Sequence, residues 1–156
     1  MAKRKEITIE QRSVADVQIK SLQRQITYDT KDYTVELVIQ KFIKNEFFIP
    51  DYQRGYVWRQ KNKSSFIESV LLGLPIPFMF FADCEDGKLE IIDGAQRVQT
   101  LVAFVKGGLT LTQLPKLTSL QGFSFADLSD AQQRRFLNRP LRIRSEEHTS
   151  ELQSHH

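Results

Sequence analysis

The most constraining part of this 156-residue chain lies between Pro77 and Lys106. Phe78, Met79, Phe80, Phe81 and Ala82 form an apolar run suited to a strand. Cys84-Glu85-Asp86-Gly87 has turn chemistry, and residues 88–92 return as a second strand. Val98, Leu101, Val102 and Val105 then recur at helical spacing, predicting a helix over residues 95–106 that Gly107-Gly108 ends. A hairpin that runs straight into a helix commits the chain to a mixed α+β domain.

The joint between hairpin and helix is Asp93-Gly94. Gly94 lets the chain turn without a Cβ in the way. The first turn of a helix carries amides with no intrahelical partner and the positive end of the dipole. Arg97 adds a permanent positive charge to that turn. A strand–Gly–helix junction with an Arg is a place where phosphate can sit.

Around this unit the pattern is coarser. Residues 1–18 are polar and read as a mobile leader, and residues 19–27 contain a short strand. Thr34 is an N-cap for a helix carrying Val35, Val38, Ile39, Phe42 and Ile43, with Asn45 as its stop. Phe47, Phe48 and Ile49 leave in extended form, because the residue before Pro50 avoids the helical region. Residues 60–72 form a second helix with Phe66, Ile67, Val70 and Leu71 on one face and Gly73 past its end. Pro75 and Pro77 enforce an extended entry to the hairpin.

Beyond Gly108, residues 109–111 suggest a short strand, and residues 112–122 an irregular stretch over Leu114, Leu117 and Leu120. Ser129-Asp130-Ala131-Gln132 has capping-box spacing and starts a helix to about Leu137. Residues 141–143 begin a strand. The expected domain therefore runs over residues 19–143, has a small sheet packed by helices, and is C-terminally truncated.

The truncation is read from the end of the chain. All three histidines (His148, His155 and His156) fall in the last nine residues, and residues 144–156 look like a translated sequencing adapter, expected to be disordered. Setting that segment aside removes one Arg and three Glu and raises the formal charge from +3 to +5. This basic excess suits a phosphate-bearing ligand or nucleic acid and equally an ordinary soluble domain. Without histidine and with Cys84 as the single cysteine, residues 1–143 cannot build a Cys/His zinc site or a Ser-His-Asp triad. A disulfide framework is likewise ruled out, which suits a cytoplasmic setting. No apolar stretch is long enough to span a bilayer, so no membrane partner is expected.

Chemistry is left to two segments. In Asp93-Gly94-Ala95-Gln96-Arg97 the amides of Gly94, Ala95 and Gln96 can donate to phosphate oxygens, Arg97 can grip phosphate bidentately, and Gln96 can orient a water. Asp93 can hold Mg²⁺ or a water. The same residues also serve as an ordinary helix start, with Asp93 as cap and Gln96 and Arg97 as its solvated face. In residues 49–58 the aromatics Tyr52, Tyr56 and Trp58 alternate with Gln53, Arg54 and Val57. Arg54 can supply a second positive charge, and Tyr or Trp can stack a base; Tyr56 and Trp58 read better as core. Cys84 among Asp83, Glu85 and Asp86 is structural, and those acids are a solvated hairpin tip. Arg134 and Arg135 face solvent.

Taken in order, Ile-Pro-Asp-Tyr-Gln-Arg-Gly-Tyr-Val-Trp at residues 49–58, Phe-Ile-Glu-Ser-Val-Leu-Leu-Gly-Leu-Pro-Ile-Pro at 66–77 and Ile-Asp-Gly-Ala-Gln-Arg at 92–97 resemble the N-terminal domain of GmrSD-type restriction endonucleases. The match extends over residues 33–143. The resemblance implies a ParB/sulfiredoxin-like fold and a nucleotide-hydrolysing module of bacterial defence against foreign DNA. It assigns catalytic roles to Asp93, Gln96 and Arg97, and nucleotide binding to Gln53, Arg54, Gly94, Ala95 and Arg97, with Mg²⁺ on Asp93. Ala95 stands where the family's motif has Gln; it keeps the backbone N–H and loses a side-chain contact, which bears on hydrolysis more than on binding. The expected partners are a nucleoside triphosphate, DNA through the intact protein, and a C-terminal His-Asn-His nuclease domain or subunit that this chain lacks. Nuclease activity is therefore not expected of this chain alone. The rival reading is a DNA-binding or protein-docking module that hydrolyses nothing.

Overall fold

A computed structural model of the chain describes residues 4–53, 55 and 57–148. The chain divides into two compact units. One contains helix α1 (Ile9–Gln25), the start of strand β1 (Ile26–Thr34) and the end of strand β5 (Pro140–His148). The other, Thr30–Ser145, holds everything else.

Strand β1 begins at Ile26, at the end of the expected short strand, and helix α1 occupies Ile9–Gln25, most of the stretch expected to hold that strand and a leader. Its start is a reciprocal cap: Gln11 N donates to Thr8 Oγ1 at 3.1 Å, and Thr8 N donates to Gln11 Oε1 at 2.8 Å. Thr-x-x-Gln is capping-box spacing, a legible signal that the scattered apolar residues of α1 obscured. Val14, Val17 and Ile19 are exposed rather than gathered on a buried face.

In the larger unit the local rules act largely as the sequence predicts. Thr34 caps α2 (Val35–Ile43), its hydroxyl accepting from Leu37 N at 3.1 Å. Asn45, in the left-handed region at φ 63°, ends it. Helix α3 spans Gln60–Leu72 and closes on Gly73 in the left-handed conformation. There the Arg139 guanidinium packs so close that a Cβ on Gly73 would lie 2.9 Å from Nη1, and Arg139 Nη2 donates to Leu71 O at 3.2 Å. A cation on the last carbonyls of a helix is favourable. Helix α5 (Asp130–Leu137) starts at Ser129, whose hydroxyl accepts from Gln132 N. A complete capping box sits instead just upstream, between Ser124 and Asp127.

The sheet has five strands in the order β1-β5-β3-β4-β2 and is mixed. Strand β3 (Met79–Asp83) pairs antiparallel with β4 (Leu89–Asp93), with Phe81 opposite Ile91 and an irregularity between Phe80 and Phe81. The two-residue strand β2 (Phe47–Phe48) joins β4 in parallel. Residues 109–111 are not a strand; Leu111 exchanges backbone hydrogen bonds with Phe123 and Gly122 in an irregular segment.

Alternate residues of β3, β4 and β5 (Met79, Phe81, Ile91, Leu141 and Ile143) enter one core with Val38 of α2, Ile67 of α3 and Phe136 of α5. Helix α4 (Ala95–Val105) contributes Val98, Leu101 and Phe104; Phe104, not Val105, is its last buried position. Phe47 meets Phe81 edge-on at 4.8 Å, geometry that adds to area burial. Leu114 is buried and Leu117 and Leu120 pack against the core, as the leucine spacing predicts. The buried Glu68 carboxylate holds their loop by accepting from Lys116 N and Leu117 N at 3.0 and 2.8 Å.

Strand β5 runs on from Ile143 through residues 144–148, where the sequence reading places a disordered tail. Arg144 lies 4.1 Å from the Phe78 ring centroid, and Ser145 is buried. Residues 149–156 lie outside the described residues. No helix among the described residues is long and apolar enough to cross a membrane.

Candidate functional site

Strand β4 ends at Asp93, and Gly94 begins α4 at φ 118°, ψ 7°. A side chain there would be strained by that φ, and a Cβ would lie 2.7 Å from Met79 Cγ and 2.8 Å from Sδ. Glycine at this joint is therefore required twice, by the backbone turn and by close packing of strand β3. As N-cap, Gly94 has no side chain to offer the first turn.

Asp93 does not fill that gap by capping, one of the two roles its position allowed. Its Oδ2 lies 3.2 Å from Arg97 Nη2, one turn further along. Arg97 Nη1 also donates to Pro77 O at 2.6 Å. The Arg97 side chain is only 13% exposed, against 62% for Asp93, so it is not part of a solvated helix face. Burial pushes the Arg97 pKa down and the Asp93 charge pulls it back up. The guanidinium remains charged, as arginine does in proteins. Among the described residues, that half-buried charge is paired with one exposed carboxylate and one neutral carbonyl.

The two segments singled out in the sequence meet in one cleft of about 420 Å³. Tyr52, Gln53, Gly55 and Trp58 form one wall, and residues 92–97 form the other. Two glutamines stitch the walls together. Gln53 Nε2 donates to Ile92 O at 2.9 Å, and Gln96 Oε1 accepts from Trp58 N at 2.9 Å. Gln96 O also accepts from Thr100 Oγ1 at 2.6 Å. Both glutamines, expected to serve nucleotide or water, hold the protein's own backbone here. Arg54 and Tyr56 lie outside the described residues, so the second expected cation of the site is not located.

The cleft includes groups that the sequence reading undervalued. Trp58 packs edge-on against Phe66, with centroids 5.8 Å apart, and also lines the cleft. Tyr52 is exposed and its hydroxyl donates to Glu90 Oε1 at 3.2 Å. The partners supplied by Met79 and Pro77 carried no sequence signal, since a packing neighbour and a main-chain carbonyl are set by tertiary structure. Ala95 lines the cleft while its methyl is buried.

The donor set bears on Mg²⁺. No group of three or more His, Cys, Asp or Glu side chains able to hold a metal occurs among the described residues. Asp93 alone fits Mg²⁺ in the mode where one carboxylate binds it and substrate phosphates and waters complete the shell. At the hairpin tip Cys84 is half-buried, and burial, then Glu90 and the neighbouring Asp86 and Asp83, push its thiol pKa up. That agrees with a structural cysteine. Arg134 and Arg135 are exposed.

Comparison with curated proteins found no match, and comparison with solved structures found none either. The family model described as GmrSD restriction endonuclease, N-terminal domain, matches residues 35–154. That span contains the cleft, the helix joint and strands β2 to β5 of the sheet. The chain belongs to the GmrSD N-terminal-domain family, and is a module of a restriction system.

Proposed function

We propose that the cleft binds a nucleoside triphosphate and that the module hydrolyses it in the service of cytoplasmic restriction of foreign DNA. The observation that carries this reading is Arg97: a half-buried guanidinium, paired among the described residues with an exposed carboxylate and a neutral carbonyl, in a cleft that also contains the first turn of α4. A phosphate group satisfies all of these at once, accepting from the helix-start amides and from the planar fork of the Arg. Asp93 would hold Mg²⁺, which would supply charge neutralisation for a bound triphosphate. Gln53 and Gln96 act through the cleft walls, keeping Trp58 and β4 in register. Arg54, outside the described residues, is assigned nucleotide binding by the family resemblance alone. DNA and a C-terminal nuclease domain or subunit are the partners of the intact system.

Isothermal titration with GTP, ATP and CTP in Mg²⁺, followed by phosphate release, tests this. Saturable binding of at least one nucleotide with release of phosphate is expected. If no nucleotide binds while duplex DNA does so with steep salt dependence, the cleft belongs to a DNA-binding module that hydrolyses nothing.

A further inference from the structure

Arg97 does more than line the cleft: it fastens residues 74–78, which are neither helix nor strand. Leu74 N ties the start of this segment to Ser69 O at 3.0 Å, whereas Pro75 and Pro77 have no N–H to donate. The 2.6 Å bond from Arg97 Nη1 to Pro77 O supplies an anchor from the side. On its other side the same segment is the wall of a second cavity of about 480 Å³, shared with Arg139 and Arg142. The Arg142 guanidinium lies 5.7 Å from the Phe78 ring centroid, next to the anchored carbonyl in sequence.

A phosphate that grips the Nη1–Nη2 edge of Arg97 competes with the Pro77 carbonyl for Nη1. The phosphate is charged and accepts bidentately, whereas the carbonyl is neutral, so the phosphate is the stronger partner. We infer that a phosphate-bearing ligand entering the cleft draws Arg97 from Pro77 and so unfastens residues 74–78, making them report occupancy of the cleft to the second cavity. The inference rests on the cleft's being an anion site and adds what that site controls. Arg97 is then a latch as well as a ligand-binding residue.

Backbone-amide hydrogen exchange, followed by NMR on the full chain, reads the latch directly at Ile76, Phe78 and Met79. GTP with Mg²⁺ and inorganic triphosphate are the two probes. Saturation with either should accelerate exchange at these amides about tenfold or more, the scale of one charged hydrogen bond lost, and leave Ile91 unchanged. Binding without that acceleration overturns the latch while the anion cleft stands. If neither probe binds, the cleft reading falls and the latch with it. Arg97→Ala should show the fast exchange with no anion present; exchange as slow as in the parent chain overturns the inference. Should that variant unfold, Arg97→Lys replaces it: it keeps the charge but lacks the fork, and should give an intermediate rise.

Discussion

Gly94 and Cys84 illustrate how much a single residue discloses before any fold is known. Gly94→Ala places a methyl where φ is 118° and Met79 is already in contact. A stability loss of about 1–3 kcal/mol from backbone strain is expected before any repacking of Met79, measurable by urea denaturation. The positive φ was inferable from the strand-to-helix junction, but the Met79 contact was not, because it depends on how the hairpin folds beneath the joint. Cys84 was legible from its acidic neighbours. Its raised pKa lowers the thiolate fraction, so iodoacetamide should alkylate the folded chain at pH 8 more slowly than the urea-unfolded chain; an equal or faster rate contradicts this. Gln53 and Gln96 were legible as residues of the two cleft segments, but their backbone partners were not. Amide side chains suit ligand and backbone equally, and sequence alone does not reveal which carbonyl or N–H will be nearest.

At the scale of elements, caps and stops were the readable part. Thr34 and Ser129 each close a helix start as their residue type and spacing predict, and Thr34→Ala should cost about 1 kcal/mol in thermal or chemical unfolding. Asp127, in the box with Ser124, accepts from the Ser124 backbone N–H and then its hydroxyl, and both hold its pKa below the ordinary aspartate range. Its contribution is therefore full above that range and fades as pH falls through the lowered native value. Helix α1 escaped because its apolar residues do not fall on one face, leaving only the Thr8–Gln11 box to mark it. The loop over Leu114 was expected, but what holds it was not. Its anchor is Glu68, a charged residue on a helix face that pattern reading assigns to solvent, yet it is 3% exposed and accepts two amides. Glu68→Ala leaves both amides without this acceptor, and a loss of about 2–4 kcal/mol is expected in denaturant melts.

Over the whole molecule, periodicity and turn chemistry were enough for a mixed α+β class and for the hairpin–helix unit at its centre. They did not give the strand order β1-β5-β3-β4-β2, since pairing between strands distant in sequence leaves no local mark. The meeting of residues 49–58 with residues 92–97 across one cleft was suggested by resemblance and is laid out in the fold by the Gln53 and Gln96 stitches. An anion site centred on Arg97 is the property of that cleft from which its proposed function follows. Trp58, the single tryptophan of the chain, lines the cleft and reports on it by fluorescence. Titration with GTP in Mg²⁺ should give a saturable change in the parent chain and one about tenfold or more weaker in Arg97→Ala, the effect of losing a charged hydrogen bond to phosphate. Equal affinities in the two proteins would contradict the account.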